Sequence, residues 1–307
     1  MATSMNSQPE QPPATQRSYT CNWCGMVSDG TSLSCPACGA ALDVSAIVTP
    51  SRWVQAPGRK DMAKLQFGKS YCQIEGKYVP VADMNLAVED QVYFAHHVLL
   101  WKDPQVEITM MSMKGAWKRV LSGMSIFMTQ AQGPGHIAFT RDAPGELLAL
   151  PLQPGQSVDV REHIFLVATH AVNYDWFKTN VWFKTRNGDD TETHYPVGMT
   201  MDRFSAGKIP GLLLVHASGN VFVRRLEAGQ TILIKPTALI FKDSTVNMQL
   251  HIEQPHTQWS LWGSWQQRYL WLRVDGPGRV AIQSAFEPDE DDGGRITRSS
   301  YATRQKW

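Results

Sequence analysis

The sequence carries little charge and no excess of either sign. Charged residues make up 19% of its 307 residues, and the formal net charge at pH 7 is +1. A chain without a strong basic field is not expected to attract nucleic acid or anionic lipid through bulk electrostatics. Nucleic acid is therefore a disfavoured partner, and we expect any membrane contact to be peripheral.

Long apolar runs and an N-terminal secretion signal are also missing. No stretch approaches the roughly 20 apolar residues that span a bilayer. Residues 1–18 are rich in Pro, Gln, Ser and Thr and lack the charged and apolar regions of a signal peptide. This composition predicts a disordered leader. The lack of a secretion signal predicts a cytoplasmic protein. Any peripheral association with the membrane is expected at its inner face.

Signatures of catalysis are absent as well. The sequence has no Gly-x-Ser-x-Gly elbow. It also has no His-x-His pair, the spacing that places two imidazoles on the same face of a strand. His96 and His97 are adjacent, and the other histidines stand singly. We predict that the protein is not an enzyme, and a cupin-like metalloenzyme is the least favoured alternative.

Cysteine spacing is the sharpest local signal. Cys21 and Cys24 form one Cys-x-x-Cys pair, Cys35 and Cys38 form a second, and Cys72 stands apart. Two such pairs predict a structural Zn²⁺ site with four thiolate ligands, a zinc ribbon over residues 19–42. Neither Lys nor Arg lies between the cysteines, and a ribbon that binds nucleic acid needs such cations. We therefore expect this ribbon to contact a protein partner.

A 23-residue segment that occurs twice indicates an internal repeat. Residues 152–174 align without gaps to residues 226–248, and a fainter third copy begins at Leu86 with Gln91 as its glutamine. Repeated units bury their apolar faces against one another. The clearest matches between the two copies are Leu152 with Leu226, Gly155 with Gly229, and Gln156 with Gln230.

A second recurring element is a Gly-Pro-Gly turn that opens a strand. It occurs at residues 133–139 and 276–282, with a weaker copy at residues 217–223. Glycine after proline accepts a positive φ and so favours a turn. A phosphate-binding loop needs a following helix with Lys-Ser or Lys-Thr, and none follows here.

Short alternating or apolar runs separated by turn residues fill residues 64–286, and none has a convincing helical period. We predict a mainly β fold with about three repeated subdomains, packed as a β-sandwich or squat barrel. Residues 43–63 are expected to form a linker. Residues 287–307, acidic and then basic, are expected to form a disordered charged tail.

Tryptophans near the end of the predicted β domain suggest an alternative function. Aromatic rings of this kind stack on bases or sugars, although they also pack between strands or at oligomer interfaces. They are weak candidates for binding a small ligand or single-stranded nucleic acid. The residues are Trp259, Trp262, Trp265 and Trp271.

With these motifs in view, the core resembles the altered-inheritance-of-mitochondria twenty-four family. The resemblance implies a fold like that of the tryptophan RNA-binding attenuation protein, a β-sandwich related to the double-stranded β-helix. It also implies ring-like homo-oligomers, with a trimer favoured, and an actinobacterial type of ribbon fusion. It supplies no catalytic residues. The segments that carry it are residues 81–86, 96–101, 276–284 and the cassette of Leu152, Gly155 and Gln156.

We therefore expect a non-enzymatic oligomeric β scaffold whose zinc ribbon contacts a protein partner, with a role near the membrane surface as one form of this function.

Overall fold

The chain is built from antiparallel strands. The computed structural model describes residues 18–21, 26–29, 35, 37, 53–55, 64–111, 128–253, 269–287 and 295–300. Helix in these ranges is limited to two short 3-10 turns, His96–Val98 and Pro236–Ala238. The prediction of a mainly β fold is confirmed.

The strands are numbered in chain order. Those before the repeats are β1 (Ser18–Thr20), β2 (Val27–Asp29), β3 (Val54–Gln55), β4 (Lys64–Phe67) and β5 (Ser70–Glu75). The first repeat contains β6 (Val81–Leu86), β7 (Gln91–Ala95), β8 (Leu99–Lys102), β9 (Glu107–Met110), β10 (Met128–Gln132) and β11 (Gly135–Thr140). The second contains β12 (Gly145–Leu152), β13 (Ser157–Arg161), β14 (Phe165–Thr169), β15 (Val172–Lys178), β16 (Phe183–Asn187), β17 (Asp190–His194), β18 (Thr200–Ala206) and β19 (Gly211–Ser218). The third contains β20 (Val221–Leu226), β21 (Thr231–Ile234), β22 (Leu239–Asp243), β23 (Asn247–Glu253), β24 (Tyr269–Asp275) and β25 (Gly278–Gln283), and β26 (Arg295–Ser299) follows.

One pattern of strand pairing occurs three times. In each repeat we name six strands a to f in chain order; f lies between a and c, and e lies between b and d. These strands are β6 to β11 in the first repeat and β20 to β25 in the third. In the second repeat they are β12 to β15, β18 and β19, because the β16–β17 hairpin is inserted between d and e. The strand pairing thus agrees with about three repeated subdomains.

Neighbouring repeats are joined through one strand pair. Strand b of the first repeat, β7, pairs with strand c of the second, β14. Likewise β13, strand b of the second repeat, pairs with β22, strand c of the third. Each junction creates a six-stranded run in the order a-f-c-b-e-d that spans two repeats.

Three buried cores separate these sheets. The first core lies between the β6-β11-β8 sheet and the sheet that joins repeats one and two, with Phe139 and Leu212 on its two sides. The second lies between the two joined sheets, and the third brings Met201 against Leu272 of the β21-β24-β23 sheet. Burial of side chains of this size contributes about 1.5–3 kcal/mol each. The repeats therefore stabilise one another as stacked layers.

The strand register identifies which turn residues are equivalent. In every repeat the leucine that ends strand a lies opposite the glycine that begins strand f. The middle counterpart of the Gly-Pro-Gly turn is therefore Pro210-Gly211, and the 217–223 segment instead connects β19 to β20. The three leucine–glycine pairs are Leu86 with Gly135, Leu152 with Gly211, and Leu226 with Gly278.

The glutamine of the repeated cassette forms the turn between strands a and b. The side chains of Gln156 and Gln230 each accept a hydrogen bond from the backbone N–H three residues earlier, at 2.9 and 3.0 Å. In the first repeat Asp90 lies at this position, and its N–H closes the same turn at 3.1 Å. Gln91, the match expected from the sequence, lies one residue later, at the start of β7.

Two short strands lie in segments expected to be linker and tail. Within residues 43–63, β3 pairs with β20 at the edge of the sheet that joins repeats two and three. Beyond residue 287, β26 pairs with the inserted strand β16, and Ile296 packs against the third core. The predicted leader, residues 1–18, lies outside the described residues except for Ser18.

Candidate functional site

The predicted metal ligands are described only in part. Cys21 and Cys35 are buried, and both belong to the cluster of buried residues around the first core. The N–H of Cys21 donates to the carbonyl of Met26 at 2.8 Å, next to the pairing of β1 with β2. Cys24 and Cys38 lie outside the described residues, so the four-thiolate zinc site stays a prediction.

Histidines and acids do not form a second metal centre in the described ranges. No group of three or more His, Cys, Asp or Glu side chains there is placed to hold an ion. His136 is held by Asp83, whose two carboxylate oxygens lie 3.1 Å from Nδ1. Its Nε2 lies 2.9 Å from the Asn85 amide. The indole of Trp101 stacks on this imidazole with the ring centroids 6.2 Å apart.

Of the four candidate tryptophans, Trp271 is described, and Trp259, Trp262 and Trp265 lie outside the described residues. The Trp271 ring stacks on Tyr269 at 6.1 Å. Its indole N–H donates to a carboxylate oxygen of Glu253 at 2.7 Å. Lys235 Nζ lies 5.2 Å from the Trp271 ring centroid and 5.8 Å from that of Tyr269.

Lys235 is a residue of this aromatic patch that the sequence did not reveal. It lies far from Trp271 along the chain, and the pairing of Ile234 with Leu272 brings the two together. A cation at this distance from an indole face is attracted by the ring quadrupole. The strand pairing, and not the spacing of the tryptophans in the sequence, therefore identifies Lys235 as part of this patch.

A buried charged network links the second and third repeats. Asp159 on β13 is fully buried and accepts hydrogen bonds from Arg203 and Lys242, with its Oδ2 2.6 Å from Lys242 Nζ. Burial lowers the pKa of Lys242, and the Asp159 carboxylate opposes that shift. Because Asp159 and Lys242 are buried and the partly exposed Arg203 pairs with the same carboxylate, the network links the two repeats electrostatically.

The outermost strands of the repeat series have an unpaired edge among the described residues. Strand c of the first repeat, β8, lacks a strand b beside it, and strand b of the third repeat, β21, lacks a strand c. Leu100 on β8 is 53% exposed, whereas its counterparts Leu166 and Ile240 are fully buried. Leu233 on β21 is 39% exposed, whereas its counterpart Tyr93 is 1% exposed. The exposed edges therefore belong to one strand c and one strand b, the two kinds of strand that pair at each internal junction.

Within the described residues, no helix has the length and apolar character needed to cross a membrane.

The comparisons with known proteins support the family and the fold. A family model described as mitochondrial biogenesis AIM24 matches residues 72–285. A crystal structure of protein SPYM3_0169 from Streptococcus pyogenes is similar at 18% identity and a TM-score of 0.53, over 71% of this chain and 94% of that chain. At this identity the likeness concerns the fold alone. No curated protein matches the chain.

Proposed function

The chain belongs to the AIM24 family, and from this premise we propose that it is a non-enzymatic scaffold that assembles head to tail through its two open strand edges. Strand β8 of one copy pairs with strand β21 of the next. Three copies close a ring, as the resemblance to ring-forming relatives favours.

This proposal is carried by the strand order that the pairing between copies would create. The order β6-β11-β8 in one copy followed by β21-β24-β23 in the next is a-f-c-b-e-d. The chain builds this order twice internally, across the β14–β7 and β22–β13 junctions. An unpaired strand edge is a template for another strand, and this chain carries both complementary edges.

The internal junctions also indicate which residues of β8 and β21 would lie opposite each other between copies. Val167 lies opposite Phe94, and Phe241 lies opposite Val160. At the junction between copies, the corresponding pair is Trp101 opposite Ile234. Because this contact would cover Leu100 and Leu233, it removes exposed apolar area from water.

The test measures assembly in a variant of one edge. Native mass spectrometry of the full chain is expected to give a trimer for the wild type. Leu233→Lys is expected to raise the dissociation constant at least about tenfold, since an edge lysine opposes strand addition. Ile209→Lys is the matched control, because Ile209 is 62% exposed and lies on the loop before β19. A wild-type monomer, or equal assembly of Leu233→Lys and wild type, would refute the scaffold.

The zinc ribbon supplies this scaffold with its contact to a protein partner. The burial of Cys21 and Cys35 in the cluster of the first core supports a ribbon that is docked and not freely tethered. We expect one Zn²⁺ per chain by elemental analysis, and loss of that zinc in Cys21→Ser with the β repeats still folded by circular dichroism. A wild-type protein without zinc would contradict the ribbon.

The aromatic patch of Tyr269, Trp271 and Lys235 favours a second function, the binding of a small ligand or single-stranded nucleic acid. A ring pair beside a cation suits a stacked base. Trp271→Ala should then abolish binding of a single-stranded oligonucleotide in fluorescence anisotropy, and Trp176→Ala, on β15, should leave it unchanged. Absence of binding by the wild type would remove this alternative.

A further inference from the structure

A cavity of about 420 Å³ lies beside the inserted hairpin of the second repeat. Its volume is in the range of small-molecule pockets. One wall is the end of β13 with Arg161 and His163, and a second is the β17 end and the loop that follows, with His194 and Tyr195. Thr237, from the 3-10 turn of the third repeat, lines the same space. The cavity is thus formed where two repeats and the insertion meet.

The hairpin of β16 and β17, which connects strands d and e of the second repeat, forms part of the cavity wall. Among the described residues, no strand lies between d and e of repeat three, where residues 254–268 are outside the described ranges. The hairpin holds His194 firmly, because its ring stacks on Phe183 at 4.7 Å and its Nε2 lies 2.7 Å from the Thr185 hydroxyl. The hairpin of the second repeat therefore supplies a wall in which the position of His194 is fixed by two contacts.

The environment of Arg161 indicates the chemistry of the ligand. Its Nε is buried and has no hydrogen-bond partner in the described part of the chain, and a buried unsatisfied donor is destabilising, more so when the group is charged. Burial lowers the pKa of Arg161, the carboxylate of Glu287 opposes this shift, and the nearby cation Arg141 adds to it. A bound anion would pair with the Arg161 side chain, which lines the cavity, and would offset the repulsion between the two arginines.

His163 has an unusual backbone conformation at the mouth of the same cavity. Its φ is +66°, and only one other non-glycine residue of the described ranges, Asn180, has a positive φ. The equivalent turn residues His97 and Thr237 do not share it. Backbone strain of this kind is destabilising and clusters at functional sites. The second repeat thus retains histidine where glycine would be more stable.

Carboxylates complete the lining. Glu192 and Glu287 border the space, while Glu162 accepts a hydrogen bond from the Thr200 hydroxyl. A ligand that fits this mixture carries an anionic group for Arg161 and hydroxyl or ammonium groups for the carboxylates of Glu192 and Glu287.

We propose that this cavity binds a small polar metabolite through its carboxylate or phosphate group, with Arg161 and His163 as the anion-binding residues. This site is independent of strand-edge assembly, since its lining residues come from β13, the insertion and the third repeat of a single chain.

The first experiment is calorimetric titration of the full-length protein with inorganic phosphate and, separately, with acetate, in a chloride buffer of constant ionic strength. We expect saturable binding of at least one probe, and at least about tenfold weaker binding to Arg161→Gln, because hydrogen bonds to charged groups contribute about 1.5–3 kcal/mol. Arg186→Gln is the matched control, since Arg186 lies on the exposed part of the inserted hairpin and pairs with Asp189 at 3.6 Å.

The results separate the ligand classes. Binding of phosphate alone supports a phosphate ester, and binding of acetate alone supports a carboxylate metabolite. No saturable binding of either probe, or equal loss of binding in Arg161→Gln and Arg186→Gln, would overturn the proposal.

A second variant tests whether strain and binding are coupled. His163→Gly is expected to raise the melting temperature, because glycine adopts a positive φ without strain, and to weaken anion binding about tenfold. Asn180→Gly should raise the melting temperature by a similar amount and leave anion binding unchanged. Full anion affinity in a stabilised His163→Gly protein would refute the role of His163.

Discussion

At the scale of single residues, the buried Asp159 network makes the sharpest prediction about stability. Asp159→Ala leaves the ammonium of Lys242, which is 5% exposed, without its carboxylate partner. Removing one member of a buried ion pair costs about 3–5 kcal/mol. We therefore expect Asp159→Ala to lower the free energy of unfolding by that amount in urea denaturation.

Asp189→Ala is the matched control for this carboxylate. Its partner Arg186 lies 3.6 Å away on an exposed hairpin tip, and exposed ion pairs contribute about 0–1 kcal/mol. Equal losses of stability in the two variants would mean that Asp159 is not the electrostatic link between the second and third repeats.

His216 makes a residue-scale prediction about pH. The imidazole is buried, its Nε2 lies 3.1 Å from the carbonyl of Ala143, and burial together with Arg141 lowers its pKa. Below about pH 6.5, the ordinary pKa of histidine, the unfolded chain therefore binds more protons than the folded chain, and stability falls as the pH falls. His216→Gln retains a donor for Ala143 and should flatten this dependence in thermal melts between pH 7 and 5. An unchanged slope would contradict it.

At the scale of elements, the turns between strands e and f depend on glycine for space. A Cβ added at Gly276 would lie 2.4 Å from the carbonyl oxygen of Glu227, so the backbone must shift. Overpacking of this kind costs about 1–3 kcal/mol, and we expect Gly276→Ala to lower the free energy of unfolding by that amount.

Gly207→Ala is the control in the corresponding turn of the second repeat. The nearest atom to its added Cβ is the side-chain nitrogen of Asn173 at 3.3 Å, which can move aside. Where the backbone conformation permits alanine, replacing glycine stabilises the protein by about 0.4–1 kcal/mol, because it lowers the conformational entropy of the unfolded chain. If Gly207→Ala destabilises as much as Gly276→Ala, close packing is not the reason for the glycine.

The elements also show how far the sequence predicts the fold. Local patterns were sufficient for the strands and for the cassette that begins at Leu152 and Leu226, because turn chemistry and apolar alternation act over a few residues. The register of the strands was harder to predict from the sequence. Asp90 and Gln91 are adjacent in the sequence, and only the strand pairing shows that Asp90 is the counterpart of Gln156. Pro210-Gly211 was missed for the same reason.

The candidate sites depended even more on long-range pairing. The cavity brings Arg161, Tyr195 and Thr237 together from two repeats and an insertion, and no spacing rule connects them. By contrast, the zinc prediction rests on cysteines a few residues apart, a pattern that is readable without the fold.

At the scale of the whole molecule, a series of three repeats ends in two different edges. A linear series of identical junctions always leaves one unused strand c and one unused strand b. Among the described strands of this chain, these are β8 and β21. An interface between unlike edges is heterologous, and it closes into a ring or continues as a filament. A symmetric dimer would instead join like edges.

This difference yields a complementation test. Leu100→Lys blocks β8 and leaves β21 intact, whereas Leu233→Lys blocks β21 and leaves β8 intact. Each variant alone is expected to be monomeric, because every junction in it requires the blocked edge. Mixed in equal amounts, the two variants share one functional junction, so we expect a one-to-one heterodimer that grows no further in native mass spectrometry. If mixing leaves both variants monomeric while the wild type assembles, the copies associate through another surface, and the head-to-tail arrangement is refuted.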